Sequence, residues 1–290
     1  MALRERAFSV EQGAISGLTE GRMRSGDLAR PFRGVRTIRP GLTVVERCRD
    51  YQARMPASHF FTHLTAAAIH GIPLPWRFRG GPLDVCAFEC EQEPRFRGVI
   101  GHTVQEGLAS VVVRNGLRVV SAVDTWCELA TVLSVDELVI AGDRLLARQD
   151  PLCTRHDIDK AVRAFSGRRG VRKLRVAITE IRAGVDSPKE SELRLIIVHS
   201  GLPEPVVNAP IFNRYGAQIA LGDLVYDRYR ILVEYDGEQH RRDDKQYAHD
   251  VERLAELAAE KWTIVRILKG QLPGAAHRVR SALIDAGWRP

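Results

Sequence analysis

The chain predicts an α+β (α/β) protein with more than one domain, and three observations carry that expectation. Runs rich in β-branched and aromatic residues alternate with amphipathic helical patterns along most of the sequence. The 290 residues exceed what one hydrophobic core usually serves. Charge is also divided unevenly: the whole chain carries 43 basic and 36 acidic residues, a formal +7, whereas residues 187–290 hold 15 of each. Three segments are expected: 1–56, 57–186 and 187–290.

From the N-terminus, residues 10–28 fit two short helices, one ending near Gly17 and one opening with Thr19 as N-cap. Residues 30–38 read as a small β-wing. Arg22 and Arg24 then lie on the second helix and Arg33 and Arg36 on the wing. These are candidate DNA contacts, with an arginine-rich scaffold helix as the plainer alternative. Residues 62–71 form a short helix ending at Gly71, and Pro73 and Pro75 stop any continuation.

Strand-like runs at 83–88, 98–103 and 117–122 suggest a small sheet. Residues 122–148 turn helical, with Trp126, Leu129, Leu133, Leu138 and Leu145 as core candidates. Thr154 opens another helix. The basic stretch 166–175, with Arg168, Arg169, Arg172 and Lys173, either follows a DNA backbone or is a solvated linker helix.

The last segment opens with Ser187-Pro188-Lys189-Glu190, a capping box with Pro at the first helical position. Glu190 either turns back to the Ser187 amide or points across a sheet toward Asp223. The helix that follows ends at Gly201, with Pro203 beyond. Residues 219–236 read as a β-hairpin. If its turn is centred between Arg228 and Tyr229, Asp223 lies opposite Glu234 on one face, about 5 Å apart at Cβ. Asp236 shares that face by strand alternation.

Two anions so close repel unless a cation lies between them, and Mg²⁺ typically takes one or two carboxylates plus waters and substrate phosphate oxygens. Asp223 and Glu234 would suffice as ligands. The competing reading is a solvated hairpin whose acids face water beside Arg228 and Arg230. Residues 244–261 form a helix with an apolar stripe of Tyr247, Val251, Leu254, Leu257 and Ala258. Asp250 and Arg253 lie off that stripe, as an exposed ion pair or as the border of an active site. A strand at 262–268 and a helix at 274–286 close the domain.

Taken in order, Glu190, Asp223, Glu234-x-Asp236-Gly-x-x-His240 and Asp250-x-x-Arg253 resemble the PD-(D/E)XK nuclease superfamily, most closely its branch related to the very-short-patch-repair (Vsr) endonucleases. The resemblance covers residues 187–272 and includes Ser187-Pro-Lys-Glu190-Ser, Gly201-Leu-Pro-Glu-Pro and Trp262-Thr-Ile-Val-Arg266. It implies a restriction-endonuclease-like mixed sheet flanked by helices, Asp223 and Glu234 as ligands of Mg²⁺ or Mn²⁺, and a DNA substrate. Where the superfamily's general pattern has a lysine, this chain has Asp236. His240 therefore becomes the candidate for proton transfer or charge stabilisation, as in Vsr-type sites. The first segment resembles the reduced winged helix of abortive-infection antitoxins.

The expected function is thus a metal-dependent DNA endonuclease or nickase, in repair or phage defence and with or without a partner protein. The alternative is a non-catalytic DNA-binding regulator of antitoxin type. No 18-residue apolar run and no signal peptide appear, so a soluble, cytoplasmic protein with no membrane partner is expected. Five cysteines, an odd number, suggest reduced thiols. Cys86 and Cys90 read as strand packing and not as zinc ligands, which structural sites need four of. Arginine outnumbers lysine 37 to 6, which suits bidentate phosphate contacts and equally a GC-rich genome.

Overall fold

The computed structural model describes residues 7–237 and 251–290 in full, and 244–250 as helical backbone. The fold is α+β, and the chain divides into two compact units, Met1–Ala141 with Leu152–Val176 and Gly142–Pro151 with Ala177–Pro290.

In the first unit, β1 (Phe8–Ser9) leads into α1 (Val10–Ile15) and α2 (Glu20–Arg24), followed by β2 (Val35–Arg36) and α3 (Val44–Gln52). The Thr19 hydroxyl caps α2 by accepting from the Arg22 amide, as expected from sequence. The strand of the wing segment, β2, pairs antiparallel with β1, and an isolated bridge joins Ala29 and Thr37.

Next come β3 (Phe60–Phe61), α4 (His63–His70), β4 (Leu83–Phe88), β5 (Val99–Val104), β6 (Val111–Arg114) and β7 (Leu117–Val120). Five of these strands form a mixed sheet in the order β5-β4-β3-β7-β6 among the described residues. The helices α5 (Ala122–Leu129), α6 (Val135–Leu145), α7 (Arg155–Ala164) and α8 (Val171–Glu180) follow.

Residues 1–56, expected as a winged-helix-like segment, share their core with the sheet that follows. Phe32, Val35, Cys48 and Tyr51 share one core with Phe60, Phe61, Leu83 and Val119 of the sheet. Tyr51 is wholly buried, with its ring edge-on to Phe32 at 5.1 Å and to Phe61 at 6.4 Å. The two-residue β2 and the nine-residue α3 cannot bury enough apolar surface alone, so they share the larger core.

The second unit runs α9 (Pro188–His199), β8 (Val206–Phe212), β9 (Gln218–Tyr226), β10 (Ile231–Asp236), α10 (Asp244–Ala259), β11 (Thr263–Leu268) and α11 (Ala275–Asp285). Its sheet has the order β11-β10-β9-β8, with β10 and β11 parallel and the other pairs antiparallel. The side chains sort into two cores, with the alternation of β9 broken between Gly222 and Val225. Leu224, Tyr226, Ile231 and Val233 pack with Leu193 of α9 and Val279 of α11. Ala220, Val225 and Leu232 pack with Leu257 of α10. The unit is therefore three layers, with the sheet between α9 and α11 on one face and α10 on the other.

A buried ion pair anchors this unit. Arg194 of α9, 1% exposed, reaches Asp143 at 3.0 Å and also donates to the Glu180 carbonyl. Asp143 also accepts from the Arg182 amide at 2.7 Å.

Candidate active site

Sheet register gathers the polar residues of the second unit into one row. Pairing of β9 with β10 runs Tyr226↔Ile231, Val225↔Leu232 and Leu224↔Val233, so the next position in that register sets Asp223 across from Glu234. On the other side, β8 pairs Val207↔Leu224 and Ala209↔Gly222, which leaves Asn208 across from Asp223. The parallel pair of β10 and β11 matches Glu234 with Arg266. Asn208, Asp223, Glu234 and Arg266 thus occupy one row across four strands. Glu234 shares the parity of Leu232, which belongs to the core that α10 covers, and its partner Arg253 comes from α10.

The contacts are specific. One oxygen of Asp223 accepts from the Tyr235 amide at 3.0 Å. Glu234 accepts from Arg253 of α10 at 2.6 Å, and Arg266 stands 3.6 Å from its other oxygen. Glu190, 8% exposed, sits in the first turn of α9. Its carboxylate accepts from the Asp186 amide at 3.1 Å and from the Asn208 side chain at 3.2 Å. Asn208 also donates to the Gly184 carbonyl at 2.8 Å and holds a left-handed φ of 45°.

Ser187 is the N-cap and accepts from the Glu190 amide, but the Glu190 carboxylate serves Asp186 and Asn208 in place of the Ser187 amide. Its charge nevertheless reaches Asp223. The Asp223 carboxyl is pushed up to about 7, first by burial and then by the Glu190 and Glu234 anions, against the opposing pull of the Tyr235 amide and Arg253.

Asp236 lies two residues beyond Glu234 on the same face and is partly exposed. His240 falls outside the described residues, and for Asp250 the backbone places it in α10. Asn208 and Arg266 are additions that sequence reading missed. An Asn inside the apolar run Val206-Val-Asn-Ala-Pro-Ile-Phe, and an Arg inside Trp262-Thr-Ile-Val-Arg, were the available signals.

Among the described residues no three His, Cys, Asp or Glu side chains group as a complete metal cage. The donor set fits Mg²⁺ or Mn²⁺ in another way. These ions need only one or two carboxylates and take waters and phosphate oxygens for the remainder. Asp223, half-buried and raised by desolvation and two neighbouring anions, has the chemistry of an acid site that gains from a cation.

In the first unit, the proposed DNA-contacting arginines are largely engaged internally. Arg22 grips Asp27 through two hydrogen bonds, 2.7 and 2.9 Å long, and Arg24 pairs with Glu20. Arg36 donates to the Met23 and Val35 carbonyls, whereas Arg33 is exposed. Arg168 lies over the Phe165 ring and Lys173 donates to the Leu133 carbonyl, while Arg169 and Arg172 are exposed. Cys86 is buried in the core and Cys90 is exposed beyond β4. No described helix is long and apolar enough to cross a membrane.

Comparison with known proteins finds two relatives, uncharacterised proteins from two strains of Mycobacterium tuberculosis. Each is 28% identical over 176 residues, 60% of this chain, and the chain spans 64% of the length of these curated relatives. No family model matches the sequence. No solved structure matches it either.

Proposed function

We propose that the chain is a divalent-metal-dependent DNA endonuclease or nickase whose second unit hydrolyses phosphodiester bonds. The observation that carries this reading is the row Asn208, Asp223, Glu234 and Arg266, with the Asp223 carboxyl raised to about 7 beside two further acids. The order α9-β8-β9-β10-α10-β11 also supports the PD-(D/E)XK reading drawn from the motifs.

Asp223 and Glu234 are the residues that would hold Mg²⁺ or Mn²⁺, which when bound lowers the pKa of a water and stabilises charge on the phosphate. Glu190, fixed by Asp186 and Asn208, keeps a further negative charge near Asp223 and disfavours an acid site without a cation. Arg253 orients Glu234, and its planar guanidinium has the chemistry to recognise a phosphate oxygen. Asp236 and Asp250 support the site, and His240 is the proposed proton donor or acceptor. A cytoplasmic role in DNA repair or phage defence, with or without a protein partner, is part of the same proposal.

Asp223→Ala tests the reading. DNA binding retained with cleavage lost supports the enzyme. Metal-independent binding with no cleavage in the parent protein supports a regulator of antitoxin type.

A further inference from the structure

The first unit holds a second cluster of titratable groups, which the nuclease reading does not use. His63 opens α4 with a left-handed φ of 47°, and its ring stacks on that of His102 from β5, centroids 4.1 Å apart and planes 12° apart. A non-glycine residue in that region of backbone space is strained, and such strain persists where surroundings enforce it. Each imidazole is backed by a buried carboxylate. Asp84 of β4, 4% exposed, meets His102 Nε2 at 2.9 Å. Glu128 of α5, 8% exposed, accepts from the Thr62 hydroxyl at 2.7 Å and from the His63 amide at 2.9 Å.

With the Glu128 carboxyl ionised, hydrogen counting fixes the tautomers. The only hydroxyl hydrogen of Thr62 goes to Glu128, so the 3.1 Å contact between Thr62 Oγ1 and His63 Nδ1 requires the imidazole to donate. His102 must likewise donate from Nε2 to Asp84. His63 Nε2 and His102 Nδ1 then remain without a hydrogen-bond partner among the described residues. Both rings are about a quarter exposed while their carboxylates are buried, and neither free nitrogen is among the fully buried polar atoms without a partner, so both reach solvent.

Parallel planes so close cannot aim two lone pairs at one metal ion about 2.1 Å from each nitrogen. They suit two oxygens of one oxyanion, each taking one N–H. We propose that His63 and His102 together bind a phosphate dianion, free or as a terminal monoester, with uptake of protons on the two outward nitrogens.

The charged surroundings fit such linkage. Asp84 would balance imidazolium charge, Arg168 adds positive potential at His63, and Glu128, whose carboxyl burial pushes up to about 7, stands near Asp124. Without ligand, burial and the neighbouring His102 hold the His63 imidazole down to about 4, so it is neutral at physiological pH. Binding should therefore tighten as pH falls.

Calorimetric titration of the full chain with inorganic phosphate and with adenosine monophosphate, at about pH 6 and about pH 8, tests this. Expected is affinity at least about tenfold higher at the lower pH, and lost in both His102→Gln and His63→Gln proteins whose circular dichroism matches the parent. Proton NMR of the parent should show both imidazoles shifting with phosphate. A dinucleoside phosphodiester should bind far more weakly. Unmoved His63 and His102 resonances at saturating phosphate, equal affinity at both pH values, or folded variants that bind like the parent would each overturn it. Because the site belongs to the first unit, loss of phosphate binding and loss of DNA cleavage are separable results.

Discussion

Asp223 accepts a hydrogen bond from the backbone amide of Tyr235, the residue immediately after Glu234, at 3.0 Å. The carboxylate thus takes up a donor at the end of the β9–β10 pairing. It is fixed beside Glu234 by the fold itself, and a half-buried carboxylate results whose ionisation is opposed by its neighbours.

That opposition gives a stability prediction. The Asp223 carboxyl is raised in the folded state to about 7, above the ordinary carboxylate value, so the folded chain binds more protons between roughly pH 4 and 7. Its contribution to stability is greatest below the unfolded pKa and is lost as pH rises through the folded one. Asp223→Asn should therefore raise the Tm at pH 8 and change it little at pH 4.5, as read by thermal melts. Mg²⁺ should stabilise the parent at pH 8 and fail to stabilise the variant.

Catalysis should follow the same group. With metal below saturation, cleavage should rise as pH climbs through about 7, because ionised Asp223 is the form that takes the cation. Raising the Mg²⁺ concentration should move this limb to lower pH, as competition between proton and metal requires. A pH–rate series at two metal concentrations checks both.

Arg253 sits on Glu234 at 2.6 Å, which places a positive charge at the acid row before any metal arrives. Arg253→Ala should tighten apparent Mg²⁺ binding several-fold and at the same time lower the cleavage rate at saturating metal, about tenfold or more. A parallel loss of both would contradict that assignment.

The Arg194–Asp143 pair is structural. Both side chains are almost wholly buried, and removing one leaves the other charged and uncompensated. Arg194→Ala should cost about 3–5 kcal/mol in urea unfolding. Gly222 precedes Asp223, and a Cβ there would come within 2.5 Å of Leu232 and 2.7 Å of Val225 side chains. Gly222→Ala should destabilise by about 1–3 kcal/mol and reduce cleavage by shifting the strand that carries Asp223.

Local patterns made much of this legible in the sequence. A turn between Arg228 and Tyr229 sets the register that brings Asp223 opposite Glu234, because hairpin pairing is fixed by its turn. Ser187, Thr19 and Thr154 cap the helices their sequence positions imply. What escaped was long-range. Asn208 lies on β8, which sequence reading left unplaced, and nothing local reveals that its amide reaches Glu190 of α9. Arg266 meets Glu234 only through a parallel pairing separated by a helix. The N-terminal segment reads as separate because its helices are well capped. Its dependence on the β3–β7 core appears only when Tyr51 is seen among Phe32 and Phe61.

The most direct test incubates the purified chain and Glu234→Ala with supercoiled, mismatched and single-stranded DNA in Mg²⁺ or Mn²⁺. Metal-dependent nicking or cleavage by the parent that disappears in the variant is the expected result. Cleavage that persists undiminished in Glu234→Ala, or DNA bound by both proteins and cut by neither on every substrate, would contradict it.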